Sequence, residues 1–163
     1  MDYKIIDNFL DQENFLKIKN SILNSQFPWT FTPRVTDIEE DLKIAASYYF
    51  THVFWGGFSV SPESQMFVDI LEGVDAKSVI RIKANLYPST ETIIHHNNHT
   101  DYDFPHRGAI FYLNTNNGLT ILEDTIEVNS VENRLLLFDP TKNHRSTTCS
   151  DDKCRVNVNF NFF

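Results

Sequence analysis

The chain has little of what cross-links, breaks or stiffens a fold: two cysteines, five glycines and six prolines among 163 residues. Two cysteines exclude the dense disulfide framework of a small secreted domain. The low glycine and proline counts exclude collagen-like and low-complexity chains. No uninterrupted apolar run approaches the length that spans a bilayer, so no membrane attachment is expected. Basic residues are also few, 14 Lys and Arg against 22 Asp and Glu, for a net charge of -8. Such a molecule repels a phosphate backbone overall, which makes a nucleic-acid partner an unfavoured expectation. The opening Met1-Asp2-Tyr3-Lys4-Ile5-Ile6-Asp7 puts acids where a signal peptide has a basic segment and then a long apolar one. A cytoplasmic location is the resulting expectation.

Aromatic and aliphatic residues are plentiful. Fourteen Phe, six Tyr and a 41% hydrophobic content suffice for one sizeable core, so a single domain over 1–163 is expected. Asp11 reads as an N-cap, and Phe15, Ile18 and Ile22 recur at helical spacing up to about Asn24. Asp37 with Glu40 resembles a capping box, and Ile38, Leu42, Ala45, Tyr49 and Val53 continue one apolar stripe, which predicts a second helix. Ser61-Pro62 opens a third, which Gly73 closes. From Lys77 the apolar period changes to two. Strands are expected near 79–86, 93–96, 109–114, 119–122, 125–128, 134–139, 144–147 and 155–162. The pattern is α+β: a helical portion over 1–75 followed by a sandwich or open barrel over 77–163, without repeats or a linker.

One constellation carries chemistry. His99-Thr100-Asp101 is followed by a lone His144 and then by Arg155. Two imidazoles and a carboxylate can cap one face of an octahedral ferrous ion and leave the opposite positions open. An arginine fork just beyond can hold a carboxylate through two parallel charge-assisted bonds. His-X-Asp alone is a weak pattern that a polar turn explains as well; the order of all four residues is more specific. In the final strand, Arg155, Asn157, Asn159 and Asn161 alternate with Val156, Val158, Phe160 and Phe162. Its polar face either meets solvent or lines a barrel mouth. Cys149 and Cys154 bracket a turn and read as free thiols; a disulfide across that turn, or a zinc site with His144, is a lesser alternative.

With Asn85-Leu86-Tyr87-Pro88, Phe111-Tyr112-Leu113-Asn114 and the stretch from Asn133 to Asp139, this arrangement resembles the 2-oxoglutarate- and iron(II)-dependent dioxygenases over essentially the whole chain. It is most similar to their prolyl-4-hydroxylase-like branch, in the short form known from bacteria and bacteriophages. The resemblance implies a double-stranded β-helix of jelly-roll or cupin-like type, with N-terminal helices packed on its major sheet. It implies Fe(II) held by His99, Asp101 and His144, with 2-oxoglutarate and O2 as cosubstrates and ascorbate as a supporting reductant. Arg155 would pair with the distal carboxylate of the 2-oxoglutarate cosubstrate, while Tyr87, Tyr112, Asn157 and Asn85 would complete its site. The implied reaction hydroxylates a peptide or protein prolyl residue, or a small molecule, and releases succinate and CO2. Oxidative nucleic-acid dealkylases share the Asn85-Leu86-Tyr87 and Arg155-Val156-Asn157 patterns but carry an arginine where Asn161 stands. A non-catalytic metal-binding module of the same fold is the remaining alternative. His95, His96 and His106 are expected in loops or facing substrate, and His52 on a helix surface or in packing. Segments 24–35 and 95–107 are expected to border the pocket, with Trp29, Phe31 and Tyr102 as candidate substrate contacts. No feature of the sequence sets the oligomeric state.

Overall fold

The computed structural model describes residues 3–36 and 47–163. In chain order the elements are β1 (Lys4–Ile6), α1 (Gln12–Ile22), β2 (Thr30–Thr32), β3 (Tyr49–Gly56), β4 (Ser59–Val60), a 3-10 turn (Pro62–Phe67) that runs into α2 (Val68–Gly73), and β5 (Val79–Pro88). Six more strands follow: β6 (Arg107–Tyr112), β7 (Asn116–Leu122), β8 (Ile126–Ser130), β9 (Leu135–Phe138), β10 (His144–Ser146) and β11 (Cys154–Phe162). The strands form two antiparallel sheets. The large one runs β1-β9-β6-β11-β5-β3-β2, with β4 on β3, and the small one runs β10-β7-β8. Two isolated bridges, His95 with Thr147 and His99 with His144, lay segment 95–99 beside β10.

Strand β11 shows how alternation builds the layers. Val156, Val158, Phe160 and Phe162 join the core formed with Phe15, Ile18 and Ile22 of α1 and Ile70 of α2. The opposite face looks toward the small sheet, where Ile110, Tyr112, Leu122, Val128, Leu136 and Phe138 form a second apolar cluster. The polar face does not meet solvent: the apolar face lies under the helices, and Arg155, Asn157 and Asn159 line a cavity between the sheets. Register then sets out the cavity floor in rows across β5, β11 and β6. Tyr87 faces Arg155; Asn85, Asn157 and Tyr112 align; Lys83, Asn159 and Ile110 align; Arg81, Asn161 and Gly108 align.

The helices over 12–22 and 68–73 fall where expected. Asp11 caps the first by accepting from the Asn14 amide at 3.0 Å. The second expected helix does not extend through Tyr49 and Val53, which belong to β3; its first part, 37–46, lies outside the described residues. Tyr49 and Val53 fit a helical stripe, but the run Tyr-Phe-Thr-His-Val-Phe-Trp is aromatic and β-branched, and pairing with β5 through Phe50–Leu86 and Thr51–Asn85 satisfies its backbone. The N-terminal portion is therefore mixed, with β1 to β4 in it, rather than helical over 1–75. The strand expected over 93–96 is reduced to the single bridge at His95.

Candidate metal and cosubstrate site

His99 and His144 are cross-strand neighbours that exchange both backbone hydrogen bonds, at 2.9 and 3.0 Å. That pairing puts their rings on the same side, with centroids 4.4 Å apart. The Asp101 amide donates to the Pro140 carbonyl at 3.0 Å, which turns its carboxylate toward the two rings. One ligand atom from each of His99, Asp101 and His144 lies within 4.8 Å of the others.

The protonation states suit a divalent cation. Burial, reinforced by the neighbouring His144, pushes the His99 pKa down to about 4, so its ring is neutral at pH 7. Burial alone would raise the Asp101 carboxyl; the Arg81 guanidinium, His144 and the Asn161 amide outweigh it and hold it at about 2. His144 Nδ1 lies 3.0 Å from the Lys142 carbonyl and donates there, which leaves Nε2 as the ring nitrogen without a partner. Among the described residues, His144 Nε2 and His99 Nδ1 are buried nitrogens with no hydrogen-bond partner. Orphaned polar atoms of this kind are uncommon in folded proteins and mark a ligand position. A neutral His99 imidazole, an ionised Asp101 carboxylate and the unpartnered Nε2 of His144 fit ferrous iron.

Asp101 is held from behind. Arg81 Nη2 donates to Oδ1 at 3.0 Å and Asn161 Nδ2 donates to Oδ2 at 2.8 Å; the two donors face each other across β5 and β11. Tyr102 packs against Arg81, whose guanidinium carbon sits 5.3 Å from the ring centroid. Supports of this type orient a metal ligand and tune its charge.

At the other end of the same cavity Arg155 is completely buried. Its Nε donates to Ser130 Oγ and its Nη2 to Thr120 Oγ1, both at 2.8 Å. Tyr87 and Tyr112 flank the guanidinium at 5.3 and 5.8 Å from their ring centroids. Among the described residues no carboxylate pairs with it, and Nη1 has no partner. Burial pushes both phenols up, so they stay protonated donors; Tyr112 gives its proton to Thr120 Oγ1 at 2.8 Å. A buried arginine without a counter-ion is strongly unfavourable unless an anion arrives. Gly118 makes room for this side chain: a Cβ there would stand 2.6 Å from Arg155 Cδ. Asn85 Nδ2 donates to Asn157 Oδ1 at 3.1 Å, between the two ends.

All eight residues singled out in the sequence meet here: His99, Asp101, His144, Arg155, Tyr87, Asn85 and Asn157 line the cavity, and Tyr112 stands directly behind Arg155. Four further contributors have weaker signals or none. Arg81 and Lys83 share the inward face of β5 with Asn85 and Tyr87, which alternation from Tyr87 backwards would have found; Thr120 and Ser130 carry no such signal. His96 is in a loop, as expected, buried against Tyr87 and bonded to Ser146 at 2.8 Å, and His52 is in packing, as expected, between Phe27 and Phe54 on strand β3. Segments 32–36 and 98–101 border an outer cleft, but Trp29, Phe31 and Tyr102 do not line it. Cys149 and Cys154 are free thiols.

Solved structures share this architecture. A prolyl-4-hydroxylase from Pseudomonas putida aligns over 98% of this chain and 91% of its own, with 16% identity and a TM-score of 0.62. The chain has the fold of the 2-oxoglutarate/Fe(II) oxygenases. A Trichoplax adhaerens prolyl hydroxylase, solved with a peptide fragment of the hypoxia inducible factor oxygen degradation domain, aligns over 98% of this chain and 83% of its own, with 14% identity and a TM-score of 0.66. An α-ketoglutarate-dependent epimerase of nogalamycin biosynthesis, SnoN, aligns over 99% of this chain and 77% of its own, with 10% identity and a TM-score of 0.69. No family model and no curated protein sequence matches the chain. No helix among the described residues is long and apolar enough to cross a membrane.

Proposed function

We propose that this protein is an Fe(II)- and 2-oxoglutarate-dependent dioxygenase built on a double-stranded β-helix, and that it hydroxylates a peptide or protein prolyl residue or a small molecule. The observation that carries the reading is the pairing, within one cavity, of a ligand triad with a fully buried arginine that lacks a counter-ion. His99, Asp101 and His144 would hold the iron, and Arg155 the distal carboxylate of the 2-oxoglutarate cosubstrate. Iron held there would supply oxygen activation coupled to decarboxylation of the cosubstrate, with succinate and CO2 as the products.

The rest belongs to the chain's own residues. Arg155 offers Nη1 to the cosubstrate while Ser130 and Thr120 fix the plane of its fork. Tyr87 and Tyr112 wall the guanidinium from water, which strengthens its attraction for a carboxylate. Asn85 and Asn157 present amide groups between that carboxylate and the metal. Lys142 keeps the His144 proton on Nδ1, away from the metal. Arg81 and Asn161 hold Asp101 ionised and aimed at the rings.

The test is succinate release from 2-oxoglutarate with ferrous iron, ascorbate and air, with and without a proline-rich peptide mixture. Wild type shows slow succinate release without substrate, and His144→Ala loses it along with metal binding. Stimulation by peptide points to a hydroxylase of proteins. Stoichiometric metal binding with no succinate in any arm rejects the reading in favour of a non-catalytic metal-binding module.

A further inference from the structure

Asp101 is held by two donors, Arg81 and Asn161, and each donor is itself braced by the segment that leaves Asp101 and returns as β6. Tyr102 packs against the Arg81 guanidinium at the start of that segment. At its end, His106 Nε2 lies 3.1 Å from Asn161 Nδ2. His106 stands two residues before Gly108, the β6 position opposite Asn161 on β11, so the register brings the two side chains together. The Asn161 amide divides its two hydrogens between Asp101 Oδ2, at 2.8 Å, and the His106 ring. Its oxygen is left buried with no partner among the described residues. An amide that gives up its acceptor in this way is oriented by what accepts from its nitrogen, because turning it over would set its oxygen against a carboxylate.

A neutral His106 ring accepts that hydrogen in one tautomer only. Its Nδ1 lies 2.8 Å from the Phe104 carbonyl and donates there, which leaves Nε2 as the acceptor. His144 uses the same device: its Nδ1 donates to the carbonyl of Lys142, also two residues upstream. Tyr102 and Phe104 pack against the His106 ring, each with its centroid 5.3 Å away, and restrict its rotation.

We infer that His106 is a positioning residue of the metal site, acting through Asn161 on Asp101. The inference rests on the oxygenase reading and adds a residue to the machinery of that site. By accepting the second Asn161 hydrogen, His106 fixes the plane of the amide, so that Asp101 Oδ2 always meets a donor and the carboxylate stays aimed at the His99 and His144 rings. Without His106 that hydrogen is buried and unpaired, and the amide gains a reason to turn away from Asp101. Tyr102 and His106 thus brace the two donors of one ligand from a single short segment.

The experiment is a Co(II) titration. A wild type that binds no Co(II) rejects the oxygenase reading and the inference with it, whereas a wild type that binds and a His106→Leu variant that binds equally well reject the inference alone. His106→Leu keeps bulk but cannot accept a hydrogen bond, and it weakens Co(II) binding roughly fivefold, less than loss of Asn161 itself because it stands one bond further from the ligand. His106→Gln offers a side-chain oxygen to Asn161 and recovers most of the loss. In an Asn161→Leu background the His106→Leu change has less than about a twofold further effect, since the path it acts through is already gone. The affinity for 2-oxoglutarate at saturating Zn(II) stays within about twofold of wild type in each variant, because Arg155 lies at the other end of the cavity. Proton–nitrogen correlation NMR of the metal-free wild type finds the neutral His106 ring protonated on Nδ1, a readout that stands even where His106→Leu fails to fold. A proton on Nε2 overturns the proposal. So do losses that multiply in the double variant, a His106→Gln protein no better than His106→Leu, or a parallel fall in 2-oxoglutarate affinity.

Discussion

At one end of the cavity Arg155 is sealed among two tyrosines, two hydroxyls and a glycine; at the other, Asp101 is held by Arg81 and Asn161 at the edge of an open cleft. The closed end fixes one guanidinium in one orientation with neutral partners, which suits a ligand that is the same in every turnover. The open end is built from a buried carboxylate, a buried amide and a partly exposed guanidinium on different strands, beside a cleft through which a ligand can enter from solvent. The difference sets a closed, fixed anion pocket at the bottom of the cavity against an accessible metal-ligand triad at its mouth.

The comparison breaks most sharply with Arg155→Ala. Charge-assisted hydrogen bonds contribute about 1.5–3 kcal/mol each, so 2-oxoglutarate affinity falls at least ~100-fold by calorimetry. Zn(II) affinity at the other end moves far less, and a matched loss of both would show that the ends are not separable.

Acid attacks the open end. The His99 pKa is depressed from 6.5 to about 4, so the unfolded chain binds a proton that the folded one refuses. Stability of the metal-free protein is therefore full above about 6.5 and is lost as pH falls toward 4, by about 3 kcal/mol on the linkage relation. Asp101, held at about 2 against 3.8, extends the loss to still lower pH with the same sign. Urea unfolding at pH 7, 5 and 4 reads this directly, and a flat profile contradicts it.

Gly118→Ala sharpens the closed end without removing any polar group. The new Cβ would meet Arg155 Cδ at 2.6 Å and the Thr148 carbonyl at 2.8 Å. Overpacking of this kind costs about 1–3 kcal/mol, and a shifted guanidinium weakens 2-oxoglutarate binding roughly thirtyfold. The smallest effect comes from Asn161→Leu, which frees one Asp101 oxygen while Arg81 keeps the other. Co(II) titration then shows roughly tenfold weaker metal binding, with 2-oxoglutarate affinity little changed.

How legible all this was depended on whether local pattern and tertiary pairing agreed. In β11 a strict alternation of polar and apolar residues meant the same thing locally and globally, and the two faces fall as the alternation implies. In β3, Tyr49 and Val53 satisfied a helical spacing that the backbone pairing with β5 overrode. The ligand-bearing residues stood out because their order along the chain is unusual. Lys83 and Arg81 did not, because lysine and arginine on a strand ordinarily face water, even though alternation back from Tyr87 puts them on the inward face that pairing with β11 confirms. Thr120 and Ser130, common in any strand, acquire meaning only through the guanidinium they touch.

The pairing of His99 with His144 has a further consequence. Segment 95–99 lies against β10 through two isolated bridges, one of them made by these two residues, with bonds from His96 to Ser146 and from Arg145 to Asn98 beside them. A metal ion shared by their rings would therefore also be a clasp, adding a link between this segment and β10. Loading the site would slow hydrogen exchange at the amides of His99 and His144, and stripping it with a chelator would let that edge of the sheet open before the rest of the molecule.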